Sequence, residues 1–167
     1  TAVSENQFIL HYQPQVDILS EQVIGFEALI RWQHPTRGLI SPAEFIPVAE
    51  ETGLIIPLGA WALRTACREA ARWRDGRSVA VNVSPAQFKS SEFIDRVAEC
   101  LAESSLEAER LELEITERSL LSGGQRTLAQ FAMLRGLGVR MAIDDFGTGY
   151  SALAYLKQLP IDVLKID

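Results

Sequence analysis

Apolar and polar positions along the chain follow two periods, and the change from one to the other marks the elements. Two β-rich runs come first, Phe8 to Asp17 and Val23 to Trp32, joined by the polar stretch Leu19-Ser20-Glu21-Gln22. A connection that short predicts an antiparallel hairpin. Pro14 cannot donate to a ladder, which places it at an edge or a strand end. Residues 33–38 read as a turn, and Ser41 with Pro42 reads as the N-cap and first turn of a helix that ends near Gly53. From Ile56 the period lengthens. Ile56, Ala60, Leu63, Cys67, Ala70 and Trp73 recur at threes and fours with charged residues between them, an amphipathic helix stopped by Asp75-Gly76.

Strand and helix then alternate. Ser78 to Ser84 is a strand and Ser91 to Ser104 a helix with Phe93, Val97, Cys100 and Leu101 on its apolar face. Leu111 to Glu117 alternates strictly as a strand, and Gln125 to Arg135 is an amphipathic helix closed by Gly136. A strand ending at Asp144-Asp145, a helix over Ser151 to Leu159 and a strand over Val163 to Asp167 follow. Such alternation implies a parallel sheet with helices outside.

Parity chooses the kind of sheet. Glu27 shares a face with Gly25, Asn82 with Ala80 and Ser84, Asp144 with Ala142, and Lys165 with Val163 and Asp167. Val79, Val81, Val83, Met141, Ile143, Leu164 and Ile166 take the opposite faces. One face is small or polar and the other large and apolar, as in a barrel with helices outside and a site at its mouth. Glu112 shares the parity of Glu114 at the bottom rim, a position with no evident reason.

The 167 residues suffice for one domain, and 47% hydrophobic with 23% charged residues is ordinary globular usage. A formal charge of −6 argues against a nucleic-acid polymer as partner. Cys67 and Cys100 fall in helical patterns without Cys-x-x-Cys spacing, so two buried thiols in a reducing compartment are expected. No run is long enough to span a membrane and no signal peptide opens the chain, which reads as cytoplasmic with no membrane contact from this segment. The chain stops directly after a strand-like run. It is expected to be a domain truncated at its C-terminus, and its last strand to leave an edge that pairs with a second copy or aggregates.

The chemistry collects at strand ends. Asp144 and Asp145 are adjacent carboxylates before Gly147 and Gly149, and like charges about 4 Å apart repel by roughly 4 kcal/mol at intermediate dielectric. Water on both, or a cation between them, would relieve this. Glu27, Asn82, Glu114, Asp144 and Lys165 fall on successive strands near their C-terminal ends, with Asp145 one place further out. An all-oxygen set suits hard divalent ions, Mg²⁺ or Mn²⁺, and two ions sharing Asp144 would explain the paired acids. Lys165 is placed to hold an attacking water.

In order and spacing, Glu27-Ala28-Leu29 with Arg31-Trp32, Asn82-Val83-Ser84, Glu114-Ile115-Thr116-Glu117, Asp144 to Gly149 and Lys165-Ile166-Asp167 resemble the signatures of the EAL-domain cyclic di-GMP phosphodiesterases. The resemblance runs from about Phe8 to Asp167. It implies metal-dependent hydrolysis of cyclic di-GMP to linear pGpG in bacterial signalling. It implies Glu27, Asn82, Glu114 and Asp144 as ligands of one metal, Asp144 and Asp145 of a second, and Lys165 on the nucleophilic water. Glu117 would anchor the loop 146–150, which in this family couples the metal site to dimerisation. Arg31 would meet a substrate phosphate, Gln13 the ligand, and Asp167 belongs to the same substrate-binding set. The family's barrel has two more strands with a further catalytic glutamate and a glutamine. The fold expected is thus α/β, a TIM-like barrel with an antiparallel first strand and six of eight strands present.

Other readings compete. Without the last strands the chain suits a non-catalytic cyclic di-GMP receptor or dimerisation module, and strand-end carboxylates with a lysine also suit enolase-type proton abstraction. Gly147 to Ala152 fits a Gly-x-Gly-x-x-Ala dinucleotide fingerprint, but two acids would then face a pyrophosphate. Taken singly, Glu27 or Glu114 is more often a solvated strand end, Lys165 a surface lysine and Arg31 a rim salt bridge. His11 and His34 read as structural, and Trp61 and Trp73 as core.

Overall fold

The computed structural model describes residues 2, 3, 5–117, 124–147 and 160–166. The helix expected over 151–159 lies outside the described residues. The strands are β1 (Phe8–Val16), β2 (Val23–His34), β3 (Gly38–Ile40), β4 (Ser78–Asn82), β5 (Leu111–Thr116), β6 (Arg140–Phe146) and β7 (Val163–Ile166). The helices are α1 (Pro42–Glu51), α2 (Ile55–Ala70), α3 (Pro85–Lys89), α4 (Phe93–Ser104) and α5 (Gly124–Gly136), with a short 3₁₀ turn at Ala108–Arg110. One sheet runs β1-β2-β4-β5-β6-β7, with β3 on β2. β1 and β3 are antiparallel to β2, and every later neighbour is parallel. Across the described residues the sheet stays open.

Paired residues point to the same side of a sheet, so register gives the faces. Gln13, Glu27, Ala80, Glu112 and Arg140 form one row across five strands, and Asn82, Glu114, Ala142 and Val163 form the next row up. These rows face inward and carry alanines where the acids need room. The other face holds Val79, Val81, Leu111, Leu113, Ile115, Met141 and Ile143, all buried with Leu63, Ala66, Phe93, Val97, Phe131 and Leu134 of the helices. This is the apolar outer layer expected of a barrel wall. A second cluster joins the hairpin to α1 and α2 through Phe8, Phe45, Leu58 and Trp61, with the Phe8 ring 5.5 Å from Phe45 and 6.1 Å from Trp61. Cys67 and Cys100 are both buried and free. Burial pushes the Cys67 thiol up to about 12, so it stays protonated and inert.

Three local differences from the sequence reading have physical causes. The first is β3, a seventh strand where six were expected. His34 Nδ1 accepts from the amides of Thr36 and Arg37 at 3.3 Å each, which tightens the turn and sends Gly38 back along β2. Ile40 is then buried beside Phe45. The second is α3, in the stretch left without an element between Ser84 and Ser91, and β4 ends two residues early, at Asn82. Ser84 and Gln87 form a reciprocal capping box, with the Gln87 amide donating to Ser84 Oγ and the Ser84 amide to Gln87 Oε1, both at 3.2 Å, and Pro85 opens the helix. The third is α2, which ends at Ala70, so Trp73 leaves the helical stripe and packs instead on Phe26 at 4.9 Å and edge-on to Tyr12 at 5.6 Å.

Candidate active site

The adjacent acids sit on a β-bulge. β6 and β7 pair at Ile143 with Leu164 and again at Phe146 with Ile166, so Asp144 and Asp145 together oppose Lys165. The extra residue is accommodated at Asp145, whose φ is +54°, a left-handed conformation that aspartate tolerates better than most side chains. Gly147 follows at φ +98°. Regular alternation would send two successive carboxylates to opposite faces; the bulge breaks that rule. Asp144 is half-buried and Asp145 exposed, and the Asp145 amide donates to Asp144 Oδ1 at 3.0 Å.

Lys165 occupies the centre of the site. Its ammonium donates to Glu27 Oε2 at 2.8 Å and to both Glu114 oxygens at 2.7 Å, which uses all three of its protons. Asn82 Nδ2 donates to the other Glu27 oxygen at 2.8 Å. Glu114 is 1% exposed. Burial pushes its carboxyl up to about 7, the Lys165 hydrogen bonds pull it down, and the charges of Glu27 and Asp144 push it up again. For Lys165, burial works against the charge, but its bonds to Glu114 and Glu27 outweigh that and hold it above the ordinary lysine value. Burial sets the direction for Glu114, and the two carboxylates beside Lys165 set the direction for the lysine.

The structure therefore brings together Glu27, Asn82, Glu114 and Lys165, as the strand parity implies, and sets Asp144 near enough to feel Glu114. It does not gather the acids into a cage. Among the described residues no three Asp, Glu, His or Cys side chains are placed to hold an ion, and the Lys165 ammonium lies between Glu27 and Glu114. As a donor set the residues fit a hard cation: three carboxylate oxygens already converge on one positive atom, with an amide attached to the same group.

The remaining residues lie around this centre. Gln13 pairs with Glu27 in register and is exposed. Arg31, four residues beyond Glu27 on the same face, donates to the Ile30 carbonyl at 2.8 Å and lines a cavity of about 290 Å³ with Asn82, Ser84, Gln87 and Thr116. Glu117 is buried and accepts from the Gly147 amide at 3.1 Å, tying the end of β5 to the turn after the bulge. Residues 148–150 of that loop, and Asp167, lie outside the described residues.

Two contributors were missed. Arg140 lies 3.4 Å from the carboxylate of Glu112, and the two share a row on neighbouring strands. This accounts for the acid at the bottom rim, whose pKa burial raises while Arg140 holds it down. Only register shows the pair, since 28 positions separate the partners. Ser84 and Gln87, which seat α3 directly after Asn82, were legible as Ser-Pro-x-Gln.

Parallel strands carrying carboxylates, an amide and a lysine toward their C-terminal ends define a barrel-type α/β protein with an acid-rich cluster at its strand ends. The EAL domain family model matches residues 1–167, and the chain belongs to that family. Among its relatives is the bifunctional diguanylate cyclase/cyclic di-GMP phosphodiesterase MucR of Pseudomonas aeruginosa, 46% identical over 99% of this chain and 25% of that protein. A solved PaMucR phosphodiesterase in complex with c-di-GMP superposes with a TM-score of 0.95 at 46% identity, over 99% of this chain and 69% of that one. A Pseudomonas aeruginosa FimX EAL domain bound to c-di-GMP gives 0.90 at 26% identity, over 99% and 68%. The fold is thus of the TIM-like barrel kind, with an antiparallel first strand and a sheet that is open across the described residues. The chain spans 20–26% of the length of the curated relatives it matches. No helix among the described residues is long and apolar enough to cross a membrane.

Proposed function

We propose that this chain carries the catalytic site of a cyclic di-GMP phosphodiesterase that opens the substrate to linear pGpG. The observation that carries the reading is the convergence of Glu27, Asn82, Glu114 and Lys165 from four strands onto one point. The PaMucR phosphodiesterase complex supports it as the likeness of fold and sequence.

Glu27, Asn82, Glu114 and Asp144 would hold one divalent ion, and Asp144 with Asp145 a second, Mg²⁺ or Mn²⁺ in each case. Bound there, the ions supply an activated water and neutralise charge on the phosphate. Lys165 orients the water once its ammonium is released from one carboxylate oxygen. Arg31 donates to a non-bridging phosphate oxygen and Gln13 to the ligand, with Asp167 in the same set. Water oxygen bonds to phosphorus as the bond to the 3′ oxygen breaks, leaving a free 3′-hydroxyl and a 5′-phosphate; one water proton goes to the departing oxygen. Glu117 acts on the loop through the Gly147 amide. A homodimer and a cytoplasmic site of action belong to the same reading.

Metal-dependent hydrolysis by the full-length protein that Glu27→Ala abolishes and Lys165→Ala slows to a small measurable residue supports the proposal. Absence of turnover in the wild type with either metal overturns it. The ammonium standing among the acids favours one alternative, a c-di-GMP-binding module without turnover, which ligand binding with no hydrolysis would select.

A further inference from the structure

β7 has little to hold it. It is four residues long, pairs among the described residues with β6 alone, and its ladder is interrupted by the bulge. Its outward side chains are poorly covered, Leu164 being 49% and Ile166 81% exposed. Burial therefore stabilises it weakly, yet Lys165 on this strand must reach Glu27 at the far side of the site.

Asp162 supplies what the ladder lacks. Its backbone amide donates to the Met141 carbonyl at 2.9 Å, and the Met141 amide donates back to Asp162 Oδ2 at 2.9 Å. A side chain thus completes a two-bond ring with the fully buried Met141 near the start of β6, immediately before the pairs Ala142 with Val163 and Ile143 with Leu164. Arg135 of α5 lies 3.5 Å from the other oxygen, Oδ1, which keeps Oδ2 turned toward the strand. Asp162 and Lys165 are three residues apart, and among the described residues the ladder contacts between them are the two pairs below the bulge.

We propose that Asp162 is a positioning residue that sets the register of β7 and so places the Lys165 ammonium. It touches no reacting atom. The kinetic consequence rests on the role proposed above for Lys165; the structural one does not.

The experiment compares Asp162→Ala, Asp162→Asn, Lys165→Ala and the double variant Asp162→Ala/Lys165→Ala in the full-length protein. Displacement of a positioned group by about 1 Å costs on the order of 100-fold. Asp162→Ala is expected to lower kcat between about 10- and 100-fold with KM within about twofold, and Asp162→Asn, which keeps an acceptor for the Met141 amide, to retain most of kcat. The double variant should be no slower than Lys165→Ala, because the two act as a unit. Additive losses, or a wild-type kcat in Asp162→Ala, overturn the proposal.

Hydrogen exchange separates this outcome from failure of the functional reading. Amides of residues 164–166 should exchange at least about tenfold faster in Asp162→Ala and not in Lys165→Ala. Unchanged exchange overturns the clamp whatever the kinetics; faster exchange beside a Lys165→Ala variant of normal kcat supports the clamp and overturns the role of Lys165. If Asp162→Ala is too unstable to purify, Asp162→Asn decides: a kcat loss with the Met141 amide still protected overturns the proposal, and retained kcat supports it.

Discussion

Glu114→Gln should abolish turnover and, in the metal-free protein, shift stability in favour of the variant as pH rises. Burial raises the Glu114 pKa from 4.5 to about 7. An acid raised in this way stabilises the fold as the neutral form below its unfolded value, and that contribution is lost as pH climbs through the folded one. Lys165 is charged in both states across this range, so only the glutamate titrates. Linkage then gives a cost of ionisation of about 1 kcal/mol at pH 5 and about 3 kcal/mol at pH 8. Glutamine mimics the neutral acid and escapes that cost. In EDTA, the stability gain of Glu114→Gln over wild type should therefore grow by about 2 kcal/mol from pH 5 to pH 8, roughly 4–8 °C in Tm for a domain of this size. Thermal unfolding at the two pH values measures it. Stability curves that run parallel would mean that Glu114 ionises without penalty, and the electrostatic account of the site would fail. Added Mg²⁺ at pH 8 should stabilise wild type more than the variant.

Two further substitutions probe the frame around the site. Arg140→Ala leaves the buried Glu112 carboxylate without its cation; the arginine side chain is 41% exposed, so the loss should be about 1–2 kcal/mol at pH 8, shrinking toward pH 4 as Glu112 takes a proton, read by urea denaturation at each pH. Gly25→Ala would bring its new methyl to 2.9 Å from the Ser78 carbonyl and against the Ser78 hydroxyl, two residues before Glu27 on the same strand. A loss of about 1–3 kcal/mol is expected, and Ser78→Ala should not fully restore it because the carbonyl remains.

The strands and their faces were legible because side chains alternate with a period of two wherever a ladder is regular. Glu27, Asn82 and Glu114 could be assigned to one face from their own strands, and the register keeps them there. What failed to show was everything that depends on a partner or on a break in period. The bulge at Asp144 and Asp145 has no trace in the alternation, and Arg140 explains Glu112 only when β5 and β6 are laid side by side. β3 is three residues long, too short for alternation to register, while α3 was visible in its cap and was overlooked for its brevity. The proximity of Lys165 to Glu27, across 138 positions, is a product of sheet curvature that no local pattern encodes.

The bulge at Asp144 and Asp145 has an implication for how this site can be lost. Between two paired positions, β6 spends one residue more than β7, and the surplus is one of the two acids. Removing either codon would let the ladder close without interruption and would relieve the left-handed backbone at Asp145. A single three-base deletion would thus yield a more regular sheet that has surrendered half of its paired charge. Descendants of such a chain would keep the fold, gain local order and lose the acid pair proposed to share two ions, so a missing acid here is a sign to look for before testing for turnover.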